Sequence, residues 1–442
     1  MSKSIAVIGA GWAGCAAAVE LAAAGHKITL YESSRTLGGR ARAVDINGTR
    51  LDNGQHILLG AYSETLRMLQ RVGVDEDKAL LRLPLQMRYP HNSDGMDFVA
   101  PQLPAPFHLI AALLRSKGLA RKDKMALARF SSAARWMDWR MNDDCSVSEL
   151  LQRFDQTERL IKLMWRPLCI AALNTPPERA SAQIFLNVLR DSLGARRAAS
   201  DMLLPRLNLT ALFPQEAAAF IQQRGGAIKL GAAVQKITTN ENSWGLTQDK
   251  AEDEIYDGLV IATSASQAAT LLSDIASATN IPSFDYEPIT TCYLQYPTDT
   301  KLAIPFYALN DDPETGCWGQ FVFDRGQLDA TQNGLFAVVV SASTEAIELG
   351  HEVLSAAIAA QLASTLQMPQ LATPEWTRVI TEKRATFSCT PAIQRPQEQT
   401  EFSTLMLAGD YLASDYPATL ESAVRSGVKA AKLLNKSFTK SE

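Results

Sequence analysis

The residues with chemistry to offer lie in two short stretches near the N-terminus. LDNGQHILLGAY, Leu51 to Tyr62, sets Gln55 and His56 between Asp52-Asn53 and the apolar run Ile57-Leu58-Leu59; His56 is one of only five histidines in the chain. An imidazole exchanges protons near neutral pH, so a histidine on a polar–apolar border is either a reactive group or an anchor for its loop. Upstream, GAGWAG supplies Gly9, Gly11 and Gly14 in the GxGxxG spacing, with Ala13 inside the turn. That spacing suits a pyrophosphate. The first glycine permits the tight turn, the second lets backbone approach the anion, and the third lets helix and strand pack closely.

Specific elements must hold these groups. SIAVI, Ser4 to Ile8, reads as a buried strand; CAAAVELAAAG follows the glycines as a helix ended by Gly25; KITLYE is a second strand ended by Glu32. The helix start offers N–H groups and a positive dipole end to phosphates. Glu32 stands where an acid bonds a ribose hydroxyl pair and repels a 2′-phosphate. The order strand, glycine turn, helix, strand, acid points to an adenine dinucleotide. Gly38, Gly39, Arg40 and Arg42 come next, and guanidinium groups match a doubly anionic linker.

This GGR-x-R stretch resembles the extension after the second strand in the flavoprotein superfamily of amine oxidases and phytoene desaturases. The resemblance implies FAD. It implies that Gly39 and Arg40 meet the pyrophosphate and that Gly54, Gln55, His56 and Ile57 run along the isoalloxazine. It further implies that Val234 reaches adenine through its backbone, and that Gly409 and Asp410 of LMLAGDYLASDYPATLESAV serve the ribityl or phosphate region. A helix from about Thr419 would bring the backbone of Leu420 and Glu421 beside the flavin pyrimidine ring. The implied fold is α/β: an FAD-binding Rossmann-like domain of the glutathione-reductase type, with a discontinuous, amine-oxidase-like α+β substrate domain. The first domain takes residues 1–62, 206–275 and 401–436, and the second takes 63–205, mostly helical, and 276–400.

A closer likeness lies in the middle. Trp165 to Cys169, AALNTPPERAS, FLNVLRDSL, EKRATF and the LDNGQHILLGAY loop resemble the squalene-associated FAD-dependent desaturases, the hydroxysqualene dehydroxylase group, and the likeness spans essentially the whole chain. It implies reductive chemistry on a long apolar isoprenoid in hopanoid or triterpenoid biosynthesis. An allylic hydroxyl is protonated and lost as water, and reduced flavin supplies a hydride. His56 is the leading proton donor, with loop anchoring as the rival role. No second GxGxxG is present to bind NAD(P)H, so the electron donor stays unidentified. The other readings are a carotenoid-type desaturase, an amine oxidase and a non-enzymatic membrane-associated flavoprotein.

The remaining pattern sets further expectations. Pro176-Pro177 predict a new helix capped by Asn174 or Thr175, and another helix is predicted from Ile347 to about Leu366. From Arg115 to Arg140 there are eight Lys or Arg and two acids, after an apolar run containing Phe107, Ile110 and Leu114. Residues 103–140 are therefore a candidate contact with anionic lipid, the rival being an apolar face packed on the substrate domain. A formal net charge of -4 gives no reason for a nucleic-acid partner. Six scattered cysteines without a CxxC pair imply no zinc, no other metal site and a reduced, cytoplasmic setting. The start has no secretory signal pattern, and no run reaches the ~20 apolar residues that cross a bilayer.

Overall fold

The computed structural model describes residues 2–46, 48–91, 93–240, 243–248, 254–275 and 280–440. Ser4–Ile8 is buried along almost its whole length, as a strand covered on both faces must be. It lies at the centre of a five-stranded parallel sheet. The order is Ala227–Leu230, Lys27–Glu32, Ser4–Ile8, Gly258–Ile261, Leu405–Leu407. Three remote parts of the chain thus build one nucleotide-type sheet. The Ala-rich helix Trp12–Ala23 packs on the terminal helix Leu420–Lys440. The contact is so close that a Cβ on Gly427 would fall 2.1 Å from the carbonyl oxygen of Ala13.

A second five-stranded sheet is wholly antiparallel, in the order Phe306–Ala308, Phe321–Asp324, Leu335–Ser341, Tyr286–Gln295, Trp376–Phe387. Side chains alternate between its faces with period two. Cys292, Leu294, Phe336 and Val338 pack on the helix His351–Thr365. Tyr293, Ala337, Val339, Phe321 and Phe323 belong to the large core on the opposite face. A small antiparallel sheet of Leu58–Leu59, Met202–Pro205 and Leu80–Leu83 joins the histidine loop to the helical part. The expected division at 275/276 falls against residues 276–279, which lie outside the described residues.

Two helix starts differ from the sequence expectation. Asn174 does not cap a new helix. It ends Arg166–Leu173 in the left-handed conformation, φ 48°, which a short polar side chain tolerates. Its amide donates to the carbonyl of Glu287 and to Thr386 Oγ1, and its oxygen accepts from the Ala342 N–H. The Pro176 carbonyl then takes the N–H groups of Arg179 and Ala180 in a turn. The next helix, Ala182–Ser192, starts only when Ser181 caps the Ile184 N–H at 3.1 Å. Likewise the helix predicted from Ile347 is two, Thr344–Glu348 and His351–Thr365, divided at Gly350 with φ 78°.

Candidate cofactor and active site

The pyrophosphate end is shaped by two glycine turns that meet. Gly9 has φ 103°, and a Cβ there would lie 2.6 Å from the Ala262 carbonyl oxygen; one on Gly14 would lie 1.8 Å from that of Gly9. The Gly38 N–H donates to the Ala10 carbonyl at 2.9 Å, bringing the second glycine turn beside the first. A Cβ on Gly11 would meet only the Cα of Gly39, at 3.9 Å. The space above Gly11 is therefore free of protein. The helix beginning at Trp12, with Ala13 buried in its first turn, has no side-chain cap and no acid in that turn. Its first N–H groups are left for an anion.

Glu32 ties this end together. Its carboxylate accepts from the Ala10 N–H at 2.9 Å and the Ser34 N–H at 2.8 Å, and a carboxylate's roughly four acceptor sites leave room for ribose hydroxyls. The Ala232 N–H donates to the Glu32 carbonyl, so the strand opening at buried Val234 starts beside the same acid. Arg40 and Asp410, 370 residues apart, form an ion pair at 2.6 Å. Arg40 also donates to the Ala385 carbonyl at 2.7 Å, and Arg42 donates to the Gly39 carbonyl. The Gly409 N–H donates to Ser426 Oγ at 2.8 Å, which pins the Asp410 turn to the terminal helix.

Leu420 opens that helix, with Thr419 Oγ1 accepting from the Ser422 N–H at 3.1 Å. The side chain of Glu421 has a task the sequence does not show. Fully buried, it accepts from the N–H groups of Glu64 and Thr65, from Thr65 Oγ1 and from Arg425 Nε. It therefore caps the helix Ser63–Arg71 and joins two helix starts.

In the histidine loop, Asp52, Asn53, Gln55 and His56 Nδ1 are each held by hydrogen bonds. Asp52 accepts from the Leu209 N–H at 2.8 Å, and Tyr293 Oη donates to the Asp52 carbonyl at 2.9 Å. Burial pushes the Asp52 carboxyl up to about 6, against the pull of the Leu209 N–H and Arg325. Asn53 donates to the Arg40 carbonyl and to Glu382. Gln55 Oε1 accepts from Arg325 Nη1 at 3.0 Å. Ile57 packs on the large core. His56 Nδ1 is 2.8 Å from the Gly54 carbonyl oxygen. A carbonyl only accepts, so Nδ1 carries a proton and Nε2 is the nitrogen that exchanges one. Burial lowers the His56 pKa below its usual value, so the ring is neutral at pH 7.

The residues fit FAD. A Cβ on Gly54 would touch only His56 Cε1 and Thr291 Oγ1, both at 3.8 Å, so the protein itself imposes no need for glycine there, whereas a ring lying alongside would. Among the described residues, Thr291 Oγ1 and Tyr411 Oη are buried without a hydrogen-bond partner. One borders Gly54 and the other follows Asp410, as polar atoms left for a bound group would. Tyr416, by contrast, is bonded to Asp191. No group of metal-ligating side chains occurs among the described residues.

A model of the family described as flavin containing amine oxidoreductase matches residues 12–435. The chain belongs to this family. It is 30% identical to a hydroxysqualene dehydroxylase of Rhodopseudomonas palustris over 98% of this chain and 99% of that one. It is 24% identical to a zeta-carotene desaturase of Synechocystis over 97% of this chain and 96% of the relative. Among solved structures, an oxidoreductase of Methanosarcina mazei matches with a TM-score of 0.72 at 16% identity, over 97% of this chain and all of that one. Cyclohexylamine oxidase of Brevibacterium oxydans matches at 0.64 and 15%, over 99% and 100%. The protein is an FAD-dependent oxidoreductase with the amine-oxidase-like FAD-binding fold.

Sequence reasoning missed Thr291, Arg325 and Gly60, and the hydrogen bond by which Tyr293 holds the Asp52 carbonyl. A Cβ on Gly60 would lie 1.8 Å from the Ala198 carbonyl oxygen, and a glycine closing an apolar pair was the one local signal available.

Proposed function

We propose that the protein removes the allylic hydroxyl of hydroxysqualene reductively and releases squalene, in hopanoid or related triterpenoid biosynthesis. The observation that carries this reading is the end-to-end 30% identity with a hydroxysqualene dehydroxylase. A second protein of that name, from Zymomonas mobilis, is 27% identical over 97% of the chain. The site chemistry supports it. A dehydroxylase needs a proton for the leaving oxygen, an apolar wall for the hydrocarbon, and exclusion of water that would recapture the cation.

Reduced FAD, when bound, supplies the hydride that replaces the departing hydroxyl. Gly9, Gly11, Ala13, Gly14, Glu32, Gly39, Arg40, Val234, Gly409, Asp410 and Leu420 would hold the cofactor. Gly54, Gln55 and Ile57 would flank its ring. Protonated at Nε2, His56 gives its proton to the hydroxyl, which leaves as water. The Gly54 carbonyl keeps the other ring N–H fixed and so sets which nitrogen reacts. Because burial lowers the His56 pKa, the imidazolium is a minority form at neutral pH, and its fraction rises as pH falls. Arg325 holds Gln55 against this loop. Phe321, Phe323, Ala337 and Val339 give the wall an uncharged face. An external reductant must recharge the flavin. The reading sets the protein in the cytoplasm, at a membrane face that supplies the substrate.

A carotenoid-type desaturase is the second reading, favoured by the zeta-carotene desaturase relatives. Flavin redox state separates the two. Photoreduced protein given hydroxysqualene without oxygen is expected to reoxidise its flavin. Oxidised protein that instead bleaches on a carotenoid precursor and yields new conjugated double bonds would establish the desaturase.

A further inference from the structure

Eleven large apolar side chains are exposed among the described residues, and six of them lie between Leu103 and Trp136. On the helix Phe107–Arg115, His108 and Ala112 point inward, while Phe107, Ile110 and Leu114 form an outer stripe at positions i, i+3 and i+7. Leu114 is 70% exposed. On the helix Arg121–Trp136, buried Ala126, Leu127, Phe130 and Ala134 face the core, and Met125 and Trp136 face out, Trp136 at 89% exposure. The sequence alternative, an apolar face packed on the substrate domain, therefore accounts for the inner sides of these helices and leaves the outer sides bare. A patch of this kind on a soluble surface marks an interaction site.

The charges say what it fits. From Leu103 to Met137 the only acid is Asp123. It is fully buried, bonded to the Ala120 N–H and to Thr157 Oγ1. Arg115, Lys117, Arg121, Lys122, Arg129 and Arg135 are all exposed, and among the described residues none of the six pairs with a carboxylate. Lys124 Nζ bonds the carbonyls of Leu114 and Ser116, locking the end of the apolar stripe to the basic helix. A chain of net charge -4 thus concentrates unpaired cations around the segment that holds six of the eleven exposed large apolar side chains among the described residues. A second copy seated symmetrically on this face would bring like charges together. An anionic bilayer answers both features at once.

We propose that the outer face of these two helices docks onto an anionic lipid leaflet and draws the substrate from it. The purpose rests on the reading of a lipid-borne isoprenoid substrate; the docking itself does not. A chain of contacts links the inner side of this face to the histidine loop. Buried His108 Nε2 is 3.4 Å from Ser200 Oγ, and Ser200 leads into Met202–Pro205. That strand pairs with Leu58–Leu59, which closes the histidine loop.

The test is sedimentation of purified FAD-loaded protein with vesicles of phosphatidylcholine alone, or of equal parts phosphatidylcholine and phosphatidylglycerol. Wild type is expected to pellet with the mixed vesicles, less so at high salt, and to stay in solution with the neutral ones. Phe107→Ser/Leu114→Ser/Trp136→Ser should weaken binding about tenfold or more, and Lys122→Glu/Arg129→Glu about as much. Both should keep full flavin content, and single Leu114→Ser serves if the triple variant does not fold. Wild type that ignores anionic vesicles, or variants that bind as wild type does, would overturn the proposal. So would a dimer in solution that Leu114→Ser splits. Vesicle binding without dehydroxylation would leave docking standing and remove the substrate reading.

Discussion

At the pyrophosphate end, the glycine turns and Glu32 are close in sequence or on adjacent strands, and the Arg40–Asp410 pair is added from 370 residues away. Gly9, Gly11 and Gly14 share one turn, Gly38 bonds Ala10 across to the next, and Glu32 ends the neighbouring strand. At the reacting end, Gln55 is held by Arg325 from 270 residues away, and the Asp52 carbonyl by Tyr293 from 241. The first region offers backbone geometry that any dinucleotide could use. The second positions a few side chains by tertiary contacts, so it can change chemistry while the fold and cofactor stay fixed. The family relatives, named for both dehydroxylation and desaturation, are consistent with that division.

Substitutions can break this contrast. The largest effect is expected from Gly14→Val, whose Cβ has no room beside the Gly9 carbonyl. Purified protein should carry no flavin absorbance. Next, His56→Phe should keep its FAD yet lose about 10²- to 10⁴-fold in dehydroxylation rate. Loss of FAD instead would make His56 an anchor. Arg40→Ala leaves the Asp410 carboxylate without its ion pair. It should weaken FAD binding by roughly 2 kcal/mol, about thirtyfold, measured by titration of apoprotein. The smallest effect sharpens the comparison: Gly54→Ala should leave the unfolding free energy of the cofactor-free chain within about 0.5 kcal/mol of wild type, measured by denaturant titration, since its Cβ meets only ordinary contacts. The same change should weaken FAD binding if a ring lies against that loop.

The two regions also differ in what could be read in advance. The glycine turn, its strand and helix, Glu32, and the start of the last helix at Thr419 follow local rules of spacing and capping, and the structure has them in place. Asn174 was misread because its neighbours, Pro176-Pro177, look like a helix start. Its actual partners, Glu287, Thr386 and Ala342, are more than a hundred residues away. Arg325 follows the strand FVFD with nothing local to mark it, yet it is 3% exposed. The Glu421 side chain, read only as a neighbour of the flavin, turned out to cap a helix reached through the fold. The apolar-basic segment was legible as a composition. Which of its faces points outward depended on how the two helices pack.

The most direct test of the account is a single anaerobic turnover of photoreduced protein with hydroxysqualene, followed by flavin absorbance and product analysis across pH. One squalene should appear per flavin reoxidised, at a rate that rises as pH falls in wild type, where burial lowers the His56 pKa, and not in His56→Phe. A flavin that stays reduced with hydroxysqualene present, at full FAD occupancy, would contradict it.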